Sequence, residues 1–359
     1  MNFSTATREI GVLKEDEDGL DMSELGLLLF GHAAFQYLYA GCQLGVFELL
    51  SKTPNLSKED LRERLDLEPQ PARCLLFGLA SLKLIIKTDD TYRNSMVIEL
   101  MFAEGKWEMF YDTVQFEARI VYSGQADFVE SLRQNKNVGL RHIPGQGPDL
   151  YHRLAETPEL QGIFYNYMSS WSRLANPLLL ENLDFYEMRK VVDVGGGDAT
   201  NAIAIAQAYP HLKITVLDIP DSCEIARAKI ARHQLTDQID VREGNMFLQE
   251  FPTGYDCFMF IHQLVIWPLD VNTSLLKRAY EALEPGGRVI IFNSISSDNE
   301  DGPVMAALDT VYFVCIPAEG GMIYSWNDYE ACLRSAGFEH IKRFECNSWT
   351  PHGIIMAVK

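Results

Sequence analysis

The 359-residue sequence has no Cys-x-x-Cys pair, no cluster of Lys and Arg, and no uninterrupted apolar run of bilayer length. Each absence excludes something. The seven cysteines, at 42, 74, 223, 257, 315, 332 and 346, lie far apart, which argues against a disulfide framework and a structural zinc site. They are expected to be small buried hydrophobes in a reducing compartment, and no metal site is expected. With 31 Lys and Arg against 50 Asp and Glu, the formal charge is −19, so nucleic acid and anionic membrane would be repelled over most of the surface. No basic region leads into an apolar core and cleavage site near the first residues, so a cytoplasmic protein is expected. Internal repeats and low-complexity segments are also missing.

What is present suggests about two domains. Residues 1–22 are polar and acidic (Lys14-Glu-Asp-Glu-Asp-Gly) and are expected to form a flexible arm. Residues 23–185 carry mainly helical patterns. Ser57-Lys-Glu-Asp60 has the form of a capping box, Pro71 opens a helix, and Leu84 to Arg93 forms two short strands around Asp89-Asp90. Helix, helix, helix and hairpin is a winged-helix order, and the negative charge favours a dimerisation or lid element over a DNA reader. Aromatics from Trp107 to Trp171 are expected to be mostly core, with a remainder facing a flat substrate.

Residues 186–359 alternate strands with helices, the strands falling at 190–194, 213–218, 239–242, 256–261 and 287–293, with a last hairpin near 341–346 and 353–358. That is a doubly wound, Rossmann-like α/β domain with ligand binding at the carboxyl ends of its strands. Its first strand ends Val191-Val-Asp193-Val-Gly195-Gly-Gly197-Asp and opens a helix. Glycine lets the backbone turn sharply and approach a ligand, and a helix N-terminus lies beyond. The second strand ends in Asp218, about 20 residues on, where a ribose diol would be held. The third runs into Glu243-Gly244-Asn245-Met246-Phe247, which sets an amide and a thioether beside the base that such a ribose carries.

Asp193-x-Gly195-x-Gly197, Asp218, Gly244-Asn-Met-Phe, His262-x-x-x-x-Trp267 and Glu284-Pro-Gly-Gly287 in series resemble the class I S-adenosylmethionine-dependent methyltransferases. More narrowly, the chain is similar to the small-molecule O-methyltransferases of plants and antibiotic pathways. The resemblance implies S-adenosylmethionine as cofactor, a homodimer built by the N-terminal domain, and a small aromatic substrate. It also implies cofactor contacts from Asp193, Gly195, Gly197, Asp218, Gly244, Asn245 (usually Asp in the family), Met246, Ser172 and His262. Met168 matches a substrate-packing position. A dinucleotide dehydrogenase, the main competitor, has no use for the third-strand and Pro-Gly-Gly signals.

One departure dominates. Oxygen-methylating members use a histidine base in His-x-x-His-Asp-Trp, often with two glutamates. Here Val265 stands at the base position, Ile266 at the Asp, and Asn293 and Ile323 at the glutamates. Valine cannot accept a proton. Three readings follow: methyl transfer to carbon or nitrogen, transfer to oxygen with a relocated base, or a retained cofactor without methyl transfer. The first is preferred, because the segments around Leu27-Leu-Leu-Phe-Gly-His32 and Trp349-Thr-Pro-His352-Gly look similar to bacterial aromatic C-methyltransferases of the saframycin and safracin type, which act on tyrosine or hydroxytyrosine rings. Candidates for proton work are His262, Asp309 and His352. Asp309 is also a candidate for holding a substrate amine. His142, His152, Arg119 and Tyr324 are candidates for substrate binding; Arg141 and Arg173 share with Arg119 the region where a guanidinium would meet a substrate carboxylate, and His32 lies on a helix that could cross to a dimer partner's site. A DNA-binding regulator that senses the cofactor is the non-enzymatic alternative.

Overall fold

The structure is a computed structural model that describes residues 19–359. Most of the expected N-terminal arm lies outside these residues. The chain divides into two compact units, with the break between Trp107 and Glu108.

The first unit begins with Asp21, whose carboxylate and the Glu24 side chain form a reciprocal capping box on the helix Met22–Leu29. Helices Gly31–Gln43, Val46–Lys52, Lys58–Arg64 and Pro69–Ser81 follow. The Ser57–Asp60 capping box is present as the spacing predicts. A small antiparallel sheet of β1 (Leu56–Ser57), β3 (Thr91–Asn94) and β2 (Ile85–Thr88) completes the winged-helix arrangement before the helix Met96–Ala103. Phe47, Leu50, Leu61, Leu79 and Ile85 are wholly buried between these elements. Close packing is possible because Gly78 leaves room for the Tyr37 ring, which a Cβ there would meet at 2.1 Å. No single described helix is long and apolar enough to cross a membrane; Met22–Leu29 and Gly31–Gln43 together pass by length and composition but are bent by 65°.

The second unit contains a seven-stranded sheet. Its strands are β4 (Lys190–Val194), β5 (Lys213–Asp218), β6 (Ile239–Glu243), β7 (Cys257–Ile261), β8 (Arg288–Ser294), β9 (Glu339–Glu345) and β10 (His352–Val358), in the order β6-β5-β4-β7-β8-β10-β9. The pairs from β6 to β8 are parallel, and β10 runs antiparallel to both its neighbours. Alternation along β4 sends Val191 into the core on one face and Val192 and Val194 into the core on the other. Chain order reverses at β4, between β5 and β7, so the crevice at the carboxyl end of β4 is the expected ligand site.

The helices from 108 to 182, grouped by the sequence reading with the first domain, belong to this second unit. The physical reason is a third core. Phe116, Ile120, Leu140, Phe164 and Tyr167 pack with Tyr312 and Cys315 of the helix Val304–Cys315 and with Ile316 just after it, from the far end of the chain. Of the seven cysteines, five are buried as expected; Cys346 is half-buried and Cys74 is exposed, its Sγ 3.6 Å from the Tyr37 hydroxyl.

Candidate functional site

The crevice at β4 opens into a cavity of about 320 Å³. The glycine turn forms one wall: Gly195 and Gly197 adopt φ of +69° and +57°, values that other residues reach only with strain. A Cβ on Gly197 would meet nothing within 4 Å, so the backbone there fronts open space. The turn is tied down from three sides. Gly195 N–H donates to Leu217 O at 2.8 Å, and Asp218 Oδ2 accepts from Gly197 N–H at 2.7 Å while Oδ1 accepts from Ile219 N–H. Beyond it, Lys229 Nζ donates to Asp198 Oδ2 at 2.6 Å and to Ser169 and Thr200, linking three helices.

The opposite wall is the long helix Pro158–Asn182, through Gln161, Phe164, Tyr165 and Met168. Tyr165 hydroxyl and Ser222 Oγ meet at 3.0 Å across the mouth. Tyr151, Phe247 and Trp267 complete an aromatic lining, and Trp267 Nε1 donates to Gln263 Oε1. Asp149, Asp218 and Asp221 line the cavity, and among its described lining residues there is no Lys or Arg. This charge balance suits a cationic, flat ligand and opposes a pyrophosphate.

Of the residues expected at the cofactor, Gly195, Gly197, Asp218, Gly244, Asn245, Met246 and His262 all line this cavity. Asp193 does not. It is fully buried behind Gly196, where a Cβ would meet its Oδ2 at 2.6 Å, and neither of its oxygens has a partner. Burial, with Asp218 and Asp198 nearby, pushes its carboxyl up to about 7. Ser172 is buried in the long helix, one turn beyond Met168, and is not a lining residue. Asn245 Oδ1 accepts from Phe247 N–H at 2.9 Å, which leaves its amide NH₂ edge to donate.

The other candidates divide. Met168 and His152 line the cavity, the latter bonded to Asp149 at 2.8 Å. His142 and Arg141 both bind Asp127, and Arg119 pairs with Glu159; none of these three lines the cavity. Tyr324 is buried, its hydroxyl donating to Gly320 O and Trp267 O, which is a structural use of the group. Tyr151 and Tyr165, from the aromatic run expected in part to face a flat substrate, line the cavity, as do Gln263 and Ser222, whose only sequence signal is proximity to the motifs.

Three proton-handling candidates sit deeper. His262 stands at the end of β7 with φ of +54°, a strained backbone for a non-glycine residue. Its ring lies 5.2 Å from that of His352, and His352 lies 5.1 Å from Trp171. Burial lowers His262 to about 4, and burial with the neighbouring His262 holds His352 well below its ordinary value, so both imidazoles are neutral. Asp309 faces a different group. An edge contact of Phe116 on Tyr312, 5.1 Å between centroids, brings the π-helical turn Glu117–Val121 against the helix carrying Asp309. Burial pushes Asp309 up to about 7; burial and the Asp309 charge push Glu117 up to about 8. Neither carboxylate lines the cavity, and neither has a hydrogen-bond or ion-pair partner among the described residues, so Asp309 stands apart from the site at which the sequence reading expected it. The four positions of the missing base machinery carry no acid or base: Val265, Ile266 and Ile323 pack together in one apolar cluster, and Asn293 donates to the Tyr329 hydroxyl.

Comparison with known proteins agrees with this architecture. The O-methyltransferase domain model matches residues 122–339, and the O-methyltransferase dimerisation domain model matches residues 27–103. The L-tyrosine C(3)-methyltransferase of Streptomyces lavendulae is 51% identical over 342 residues, 95% of this chain and 93% of that protein. A 3-hydroxy-5-methyl-1-naphthoate 3-O-methyltransferase from Streptomyces sahachiroi is 28% identical over 90% of this chain and 91% of its own length. Among solved structures, the S-adenosylmethionine-dependent methyltransferase SibL in its apo form superposes with a TM-score of 0.84 at 46% identity, covering 94% of this chain and 99% of that one. Fold, crevice, domain matches and relatives together place this chain in the O-methyltransferase family.

Proposed function

We propose that this chain methylates a ring carbon of a small phenolic amino acid, of the tyrosine, hydroxytyrosine or hydroxykynurenine type, in a specialised-metabolite pathway. The observation that carries the reading is the apolar cluster of Val265, Ile266 and Ile323 where oxygen-methylating members hold their base. The similarity to an L-tyrosine C(3)-methyltransferase supports it. Further support for the cofactor comes from the cavity itself, with its open glycine cradle, its aromatic lining and its carboxylates.

When bound, S-adenosylmethionine supplies a sulfonium-activated methyl group. Gly195 and Gly197 give the cofactor's amino-acid part close access to backbone, and Asp218, anchored by two backbone N–H groups, offers its remaining lone pairs to the ribose hydroxyls. Asn245 donates to a ring nitrogen of the base and Met246 packs on its face. Phe164, Tyr165 and Met168 press on the substrate ring from the helix side and exclude water. Neutral His262 accepts a hydrogen bond from the phenol and so raises electron density at the adjoining ring carbon. The exposed apolar residues Met22, Leu25, Leu28, Leu29 and Phe30 of the first unit supply the surface of a homodimer, in keeping with the dimerisation-domain match. Seven free thiols and the absence of a basic patch fit a cytoplasmic enzyme acting on small molecules.

The test uses S-adenosylmethionine with a carbon-13 methyl and a panel of tyrosine, hydroxytyrosine, hydroxykynurenine and simple catechols, read by carbon NMR. An aryl-methyl signal is expected. A methoxy or N-methyl signal would replace the carbon reading, and cofactor binding with no transfer would favour the non-methylating alternative.

A further inference from the structure

His262 lines the cofactor cavity, whereas His352, in ring contact with it, lines a second cavity of about 260 Å³ on the far side. The histidine pair is therefore the partition between the two spaces. Each ring has a buried Nε2 with no partner, so the two imidazoles are in ring contact without a hydrogen bond between them, an arrangement that costs energy unless a passing proton uses the two atoms. On its other side His352 Nδ1 meets Thr350 Oγ1 at 2.7 Å, and Thr350 Oγ1 meets Ser348 Oγ at 2.8 Å. Thr350 is 2% exposed, while Ser348 is half-buried and lines the second cavity, which opens at the surface beside exposed Trp349. The polar atoms thus form a graded path from an enclosed site to solvent, through surroundings otherwise made of Trp171, Phe292 and Ile295.

We propose that His262, His352, Thr350 and Ser348 form a proton exit that carries the proton displaced by methyl transfer from the cofactor cavity to the surface cavity. The inference rests on the carbon-methylation reading. There the methyl carbon–sulfur bond breaks, a carbon–carbon bond forms, and the ring carbon releases one proton to restore aromaticity. In the resting chain His262 carries its proton on Nε2 and His352 on Nδ1, the latter donated to Thr350. A turn of the touching rings brings the two Nε2 atoms into line, and a proton taken at His262 Nδ1 then drives the His262 Nε2 proton across to His352 Nε2. The His352 Nδ1 proton moves to Thr350, the Thr350 proton to Ser348, and the Ser348 proton to solvent. Rotation of the hydroxyls and rings then resets the chain. Because a methylated, not yet aromatic ring is a strong acid, weakly basic imidazoles suffice, and the proton does not dwell on them. The same pair would be too weak to serve as the family's phenol base.

Two measurements decide it. Nitrogen-15 NMR of the imidazoles in the cofactor-free protein is expected to show His352 protonated at Nδ1, with that resonance shifted in Thr350→Val. An Nε2-protonated His352 would overturn the chain, and this result needs no substrate. In turnover with whichever phenol the wild type accepts, Thr350→Val is expected to lower kcat about tenfold or more. KM and cofactor affinity should stay within about twofold, with recovery on adding imidazole or on restoring a hydroxyl as Thr350→Ser. Undiminished kcat in Thr350→Val, or a loss that neither restores, would overturn it. Failure of the wild type to methylate carbon would instead count against the parent reading.

Discussion

At the scale of single residues, the two best-defined groups are Asp218 and the Asp309–Glu117 pair. Asp218 accepts the Gly197 N–H, which fixes the glycine turn, and the N–H of its neighbour Ile219, so its loss removes both a ligand contact and the partner of Gly197 N–H. Asp218→Ala is expected to weaken S-adenosylmethionine binding by roughly 2–4 kcal/mol, measured by calorimetry; an unchanged affinity would move the cofactor elsewhere. Asp309 and Glu117 have carboxyls raised to about 7 and 8. Raised above their unfolded values, they bind more protons in the folded state, so stability falls as pH rises from about 4 and levels off above about 7 to 8. The melting temperature of the apo protein should therefore decline between about pH 5 and 8, and Asp309→Asn should flatten that decline.

Elements owe their positions to a few close backbone approaches. Gly139, in the 3₁₀ turn Val138–His142, packs against Gly124, where a Cβ would meet Gly124 O at 2.3 Å and Cys315 O at 3.0 Å. Backbone cannot yield as a side-chain tip can, so Gly139→Ala is expected to cost about 2 kcal/mol or more, read as a lowered melting temperature. The π-helical turn Glu117–Val121 interrupts the helical run from Trp107 to Gly124, and such turns frequently mark functional positions. The elements themselves were largely legible beforehand. The strand periods located β4 to β10 to within a few residues, because apolar runs bounded by Gly, Pro and Asp are local signals. The allegiance of the 108–182 helices was not legible: an amphipathic face announces that it must be covered, not by which distant helix. The bond from Asn245 to Phe247 and the pairing of His142 with Asp127 also depend on turn geometry that periodicity does not encode.

For the whole molecule, charge and exposed apolar surface set the expectations. A net charge of −19 repels phosphate backbones, so a low-salt gel shift should show no DNA binding. The first unit exposes Leu25 and Leu28 at 47% and 65% on one short helix, which makes that helix the place to break the proposed dimer. Leu25→Asp combined with Leu28→Asp is expected to reduce the particle in light scattering to one chain of 40.7 kDa. A double variant that still runs as a dimer would locate the interface elsewhere.

The sequence alone determined the two-part plan, the glycine turn with Asp218, and the replacement of the family's base by Val265. These depend on residue type, spacing and period, which a linear chain carries in full. Tertiary structure decided which of the named groups meet. It joined His262 from the end of β7 to His352 from the start of β10, set Asp309 against Glu117, and sent Arg119 and Tyr324 to an ion pair and a backbone anchor. Such pairings join residues far apart in the chain, and no local pattern records them. Only packing, with burial that removes water from one group and leaves it to another, distinguishes a site residue from a structural one.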